Sequence, residues 1–475
     1  MNILNKLKSN GACLGLGVAV SMFWSRNAAA EVTLVEKDGW TFSFDGRVNA
    51  FLTVGQGDDF PLPTAEPGGG MSMHTVMGSN SPRPGQGVGD VGWPSAYQQD
   101  ANNKYFAMRI RSGMYGNIIG FGLQKQINET TTIKAYVSIW STIESLGRDK
   151  WYPVVAEARE GYFTAAGPWG SATAGRMLGR LGRTSYEIDT MYGHGYGVGL
   201  PCTDSLGPAC GHIGTGVLFP GYSAGMSYST PSLGGLQIHA GLYDPIVFSP
   251  SSPDDWSHAS FARPEGAITF DTPLGQVGNL KIGAEGLYQP LGRIRTDPTT
   301  MAKTDEKSSV WGASGGARVE VGPVRVGVSG FRGRGLGLGY ALQRSVATAD
   351  NDSGAAPPGG VTYELRTFTG FYAQVAAVFG ALQIGAGFGR GLVDQLDVDK
   401  TNSKLSVIHA QTGISASAYY HLSDTVVLGL DYFRYTANWY GAPVVDPATM
   451  APTGDKLAGE KQDLNFVSAG VTYHW

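Results

Sequence analysis

Seven basic side chains, Arg47, Arg109, Arg111, Lys134, Lys281, Arg318 and Arg325, stand at alternate positions among apolar residues. Four acids, Asp45, Glu285, Glu320 and Asp431, are placed in the same way. Charges with this spacing share one face of a strand. Their chemistry is a field rather than a reaction: fixed, hydrated charges that orient dipoles and sort ions. Groups for covalent chemistry are present but unassembled, since no nucleophile elbow or telling His–Asp spacing brings Ser, His and Asp together. An enzyme is therefore the rival from a different class. The glycine runs Gly193–Gly199 and Gly335–Gly339 have neither the following Lys-Ser/Thr nor the strand–loop–helix setting of a phosphate loop.

Four smaller constellations need weighing. Cys202 and Cys210 lie eight positions apart in a Pro/Gly-rich stretch, and a disulfide staple is favoured. By the chain-entropy model such a small loop contributes about 2–3 kcal/mol. The alternative is a metal set of His194, Cys202, Cys210 and His212, whose spacing matches no usual zinc pattern. Met71, Met73, His74 and Met77 are soft donors suited to Cu(I), set against an ordinary surface loop. Asp394, Asp397 and Asp399, or Asp58 with Asp59, are candidates to hold calcium or to bridge lipopolysaccharide through divalent ions. No cofactor is required, and calcium at these loop carboxylates is the candidate ion.

The elements that must position these charges are strands. In Leu464–Trp475, Val467, Ala469, Val471, Tyr473 and Trp475 fall on one side, with Ser468, Gly470, Thr472 and His474 on the other. Trp40–Val54 repeats the design, with Arg47, Asn49 and Thr53 among its polar set. Pairing of the first and last strands closes a sheet, and polar inside with apolar outside describes a membrane barrel. Composition agrees. Aromatic residues reach 11%, charged residues only 16%, and mean hydropathy is −0.11. Beyond the first 30 residues no apolar run approaches the roughly 20 residues that a membrane helix needs. Residues 1–30 read as a secretory signal: Lys6 and Lys8, an apolar Gly11–Trp24, and Ala28-Ala29-Ala30 before Glu31. Its removal takes away Lys6, Lys8 and Arg26 and no acid, moving net charge from −4 to −7. That balance gives no reason to expect nucleic acid.

Alternation places sixteen strands. They run Trp40–Val54, Lys104–Ile127, Thr130–Ser145, Val155–Ala166, Gly170–Leu178, Tyr222–Thr230, Leu236–Asp244 and Glu265–Thr272. Then come Gly278–Gln289, Ser308–Val321, Val324–Arg332, Thr362–Phe379, Ala381–Gly391, Leu405–His421, Thr425–Ala437 and the last strand. Long and short connections alternate strictly, so both ends lie on the short-turn, periplasmic side of one barrel spanning residues 31–475. The largest functional candidate among the spacers is 179–221.

Glu157–Met177, EAREGYFTAAGPWGSATAGRM, resembles the fourth and fifth strands of Gram-negative general diffusion porins, with Gly175-Arg176 as their ending. Ala224–Asp244, with Thr230–Gly235 as its turn, is similar to the next hairpin of that family. The chain departs from the family in ending on Trp475 rather than Phe, and in carrying Cys202 and Cys210. The resemblance implies a homotrimer in outer-membrane lipid and lipopolysaccharide, passing small hydrophilic solutes by passive diffusion. It also implies that loop 179–221 folds inward to narrow the lumen. Arg47, Arg109 and Arg111 would then line one wall, Glu187 and Asp189 of the loop would oppose them, and Arg318 and Arg325 would line the pore. A solute- or anion-selective channel of the same architecture is the alternative. Arg176 shares parity with outward Ala172 and Ala174, so it must sit at a strand end, a bulge or a subunit interface.

Overall fold

The computed structural model describes residues 31–58, 73–75, 104–114, 116–141, 143, 156–191, 211–245, 259, 261–296, 300–337, 365–396, 405–440, 443–445, 452–456 and 461–475. The leader, Cys202, Cys210, His194, Met71, Met77, Asp59, Asp397 and Asp399 lie outside them. In chain order the strands are β1 Val32–Lys37, β2 Trp40–Gly57, β3 Met73–Thr75, β4 Tyr105–Arg111, β5 Asn117–Gln126, β6 Thr132–Ser141, β7 Ala156–Gly167 and β8 Gly170–Leu178. After helix α1, Arg183–Ile188, follow β9 Tyr222–Ser229, β10 Leu236–Tyr243, β11 Arg263–Pro273, β12 Gly278–Thr296, β13 Lys303–Val321 and β14 Val324–Arg334. β15 Thr367–Phe379, β16 Leu382–Val393, β17 Leu405–His421, β18 Val426–Trp439, β19 Pro443–Val445, β20 Pro452–Lys456 and β21 Lys461–His474 complete the series.

The ladder closes because β2 pairs with β21 on one side and with β4 and β5 on the other, all antiparallel. β4 and β5 are two halves of one wall strand, so the wall has sixteen. The break between them is built by one side chain. Arg111 pairs with Phe51 and Ile118 with Arg47, so seven residues on one strand answer four on the other. The extra chain loops out at Ser112–Gly116, and buried Asn49 takes over the ladder. Its Oδ1 accepts from Gly113 N, its Nδ2 donates to the Gly116 carbonyl, and its own N–H reaches Asn117 Oδ1, each at 2.7 Å. Gly113 N, the Gly116 carbonyl and Asn49 N are thereby matched.

The first described strand and Trp475 share one wall position. Trp475 exchanges backbone hydrogen bonds with Gly46, and β1 begins beside Phe44, continuing that row through a two-residue Asp38-Gly39 turn with both φ positive. The Trp475 ring lies over Gly46, where a Cβ would come within 2.6 Å of it, and packs at 5.4 Å from Phe44.

Face polarity is inverted relative to a soluble barrel. Val48, Phe163, Met226, Ile268, Val326, Phe371, Leu430 and Val471 are exposed on the outside, while Ser43, Thr53, Ser138, Thr164, Ser468 and Thr472 are buried within. Such an outer band suits lipid. The inner face is not uniformly polar. Phe331, Phe368, Phe433, Tyr435, Leu464 and Phe466 also point inward, joined with Leu181, Met191 and Leu218 of the long loop in one cluster. An apolar inner patch is stable here because loop residues, not water, cover it.

Candidate functional site

The long loop enters the lumen in two runs, 180–191 and 211–220, and both lie against inward-facing wall residues. Gly182 joins the runs. Its φ of 89° admits glycine readily, and a Cβ there would meet the Leu218 carbonyl at 2.4 Å. The first run is held by two wall glutamates. Glu265 accepts from Arg180 N (2.5 Å) and Leu181 N (3.2 Å). Glu285 accepts from Gly182 N (2.7 Å), the Thr184 hydroxyl (2.6 Å), the Ser314 hydroxyl (2.7 Å) and, by a shorter contact, Thr184 N. Further along, Gln374 donates to the Ile188 carbonyl and Gln383 to the Thr190 carbonyl. The second run packs on β15–β17, with Gly216 against the Phe371 carbonyl and the His212 ring 4.7 Å from Tyr372.

The loop carboxylates face this seat. Glu187 pairs with Lys281 at 2.7 Å and with Arg183 at 2.9 Å, while its backbone carbonyl accepts from Arg318. Burial alone pushes the Glu187 carboxyl up, but Lys281 and Arg183 outweigh it and hold the group below the ordinary glutamate range. Asp189 is buried, accepts from Met191 N at 2.9 Å and lies 3.4 Å from His212 Nδ1. Glu187 therefore fastens the first run to the β12–β13 side, while Asp189 ties that run to the second through His212.

The wall charges occupy the inner face that parity assigns. Arg47 lies 5.6 Å from the Trp140 ring centroid, with Arg159 at 4.5 Å from the same ring. Arg109 pairs in the ladder with Thr53, and buried Arg111 donates from Nε to the Thr53 hydroxyl at 3.3 Å. Lys134 is paired with Glu31, and Asp45 accepts from Tyr136 at 2.9 Å. Arg318 is 3.0 Å and Arg325 3.9 Å from Glu320; Asp431 accepts from Tyr419 at 2.5 Å. Arg176 sits beside a bulge. The register shift between Ser138 and Ile139 leaves Arg159 extra on β7, and Arg176 donates to its carbonyl at 3.0 Å.

Sequence reasoning missed Glu265, Gln374 and Gln383. Glu265 fell at a strand end, and the uncharged glutamines gave no charge signal, although parity puts both on the inner face. Among the described residues no group of three His, Cys, Asp or Glu side chains is placed to hold a metal ion. Asp58 is salt-bridged to Lys104 at 2.9 Å, and Asp394 lies 3.6 Å from Arg332.

A closed sixteen-stranded antiparallel barrel with a lipid-type exterior, a charged interior and an inserted loop is a channel of the outer-membrane type. The family model for Gram-negative porins matches residues 17–438, and this chain belongs to that family. It is an outer-membrane channel for passive diffusion. Among solved structures it is similar to the outer membrane channel DcaP of Acinetobacter baumannii, at 12% identity over 94% of this chain and 100% of that one, with TM-score 0.58. An anion-selective porin from Comamonas acidovorans matches at 12% identity over 92% and 100%, TM-score 0.50. Salmonella typhi OmpF, in complex with daunomycin, matches at 12% over 93% and 99%, TM-score 0.50. At such identities the likeness concerns the fold alone. No curated protein matches the sequence.

Proposed function

We propose that the channel is a general, weakly selective pathway for small hydrophilic solutes, narrowed by the loop run 180–191. The observation that carries this reading is the seat itself. The loop is bound along β11–β16 by many separate hydrogen bonds, so it divides the lumen without needing a bound solute. Arg47, Arg109, Arg111, Arg318 and Arg325 supply the fixed positive charge of the passage. The anion-selective alternative is favoured by the pairing of Glu187 with both Lys281 and Arg183, which withdraws that carboxylate from the opposing role. Planar-bilayer recordings in salt gradients test both. Conductance proportional to bulk conductivity, with a small anion-directed reversal potential, is the expected result. A large reversal potential favours the anion-selective alternative, and silence from folded protein removes transport.

The assembly in this reading is a homotrimer in lipid and lipopolysaccharide, with outward Ala172 and Ala174 letting walls approach closely. Native mass spectrometry in mild detergent should give three times the mass of the chain; a lone monomer peak would exclude it. Cys202 and Cys210 are bridged in the same reading, because an exported chain meets an oxidising compartment. Unreduced peptide mapping should recover one cross-linked pair, and free thiols at both positions would refute the bridge. Calcium at Asp58 and Asp394 stays a weaker proposal, since both carboxylates already face a cation.

A further inference from the structure

Among the described residues, Arg180 and Arg390 are inner-face arginines whose Nε finds no hydrogen-bond partner, and Arg180 is the one on the inserted loop. Its guanidinium makes one hydrogen bond, from Nη2 to Ser229 Oγ at 3.1 Å, and its Nε is buried without a partner. Among the described residues no carboxylate pairs with it. The nearby acids are already engaged: Glu265 by Arg263 Nε and by the backbone of Arg180 and Leu181, Glu187 by Lys281 and Arg183. Burial, and then the like charge of Arg183, make the charged form of Arg180 costlier than in water. A desolvated cation lacking a counter-charge invites an anion.

A second buried donor lies close by. The Tyr243 ring runs flat along the wall over Gly225 and Gly241, where a Cβ would come within 2.6 Å and 2.7 Å of it. Those two glycines therefore clear a bed for the ring. Its hydroxyl approaches Ser227 without completing a hydrogen bond, and is buried. Ser227 and Ser229 are successive inward positions of β9, about 7 Å apart along the strand. Arg180 ends at one and Tyr243 at the other. His239 completes the wall, with Nδ1 2.7 Å from Ser229 Oγ and Nε2 3.0 Å from Thr269 Oγ1, so the ring fixes the serine that holds the guanidinium.

We infer that Arg180, Ser229 and the Tyr243 hydroxyl form a binding subsite for a carboxylate or other small oxyanion on the β9–β11 wall, on the short-turn side of the inserted loop. The inference rests on the channel reading and deepens it: permeating solutes with an anionic group pause here. Arginine suits the role because its planar fork presents several donors to two oxygens at once. Water is the other species that competes for these donors.

The test uses the full protein in planar bilayers, recording chloride current while potassium acetate or potassium phosphate is added. Wild type should show saturable reduction of the chloride current. Arg180→Met should weaken it by roughly tenfold or more, as expected for loss of a hydrogen bond to a charged group. The backbone N–H of residue 180 still reaches Glu265 in that variant, so the loop keeps this anchor. Arg180→Lys should recover part of the effect, and Tyr243→Phe should lose less than Arg180→Met. If Arg180→Met fails to fold, Ser229→Ala and Tyr243→Phe carry the same comparison. Reduction by acetate alone supports a carboxylate site, and by phosphate alone an inorganic oxyanion site, provided the variants lose it. Current that neither anion reduces, or reduction that the variants keep in full, means water alone and overturns the subsite while the channel stands. Folded protein silent in bilayers would remove the channel reading and the subsite together.

Discussion

Glu285→Ala protein should carry more current per channel than wild type, with noisier open levels. One wall carboxylate accepts from Gly182 N, Thr184 N, the Thr184 hydroxyl and the Ser314 hydroxyl, and so fixes the start of α1. Removing it orphans the buried Thr184 N–H, while Gly182 N keeps only its longer contact with Ser314 Oγ at 3.1 Å. The cost is set by that orphaned donor more than by the average hydrogen bond, and is about 2 kcal/mol of loop attachment. Barrel closure does not depend on it, since the ladder around residue 285 is made by backbone pairing with Ala267 and Ser314. The variant should therefore stay heat-modifiable and folded while its loop comes away. Glu285→Gln keeps one acceptor oxygen and should fall between the two. Unchanged conductance and noise in folded Glu285→Ala would show that Glu265, Gln374 and Gln383 seat the loop without it.

Strands were legible because their signal is local. Apolar outward residues such as Val467, Val471 and Tyr473 alternate with inward Ser468, Thr472 and His474 whatever the rest of the chain does. The even count and the alternation of turn lengths follow from the same pattern. Three features were not legible. The split of the second wall strand depends on Asn49, sixty-four residues from the Gly113 N–H that it accepts. β1 is a short bulged strand, exposed on both faces, without the alternation that marks the others. The inward aromatics Phe433, Tyr435 and Phe466 break the polar-inside rule, and only the inserted loop explains why they are covered.

The loop carboxylates show the limit most clearly. Their number and position suggested a wall of negative charge opposite Arg47, Arg109 and Arg111. A sequence cannot say which cations a folded loop will meet, and in the structure Glu187 meets Lys281 from β12 and Arg183 from its own helix. The reading of a channel survives this because it depends on the wall. The sign of selectivity depends instead on which charges remain uncompensated.

Acid should therefore release the loop late. Glu187 is held below its ordinary value by Lys281 and Arg183, so its contribution to the seat is fully present above that ordinary value. It is lost only as pH falls through the depressed folded value. The part of the conductance change that Glu187 controls should thus be flat from neutral pH down to the ordinary glutamate range and rise below it. Groups facing this pair include Arg318 and Glu285, while Asp189 and His212 form a separate contact further along. Glu187→Gln isolates the effect. It leaves Lys281 and Arg183 without their counter-ion in a buried site, a change that costs about 3–5 kcal/mol when one partner of a buried pair is removed. This variant should have wild-type barrel mobility, high conductance already at neutral pH, and little further rise in acid. Lys281→Met, with Arg183 still beside Glu187, should move the acid transition toward higher pH. A pH profile that Glu187→Gln leaves unaltered would assign the transition to other groups, and would show that the Glu187 pair does not hold the loop.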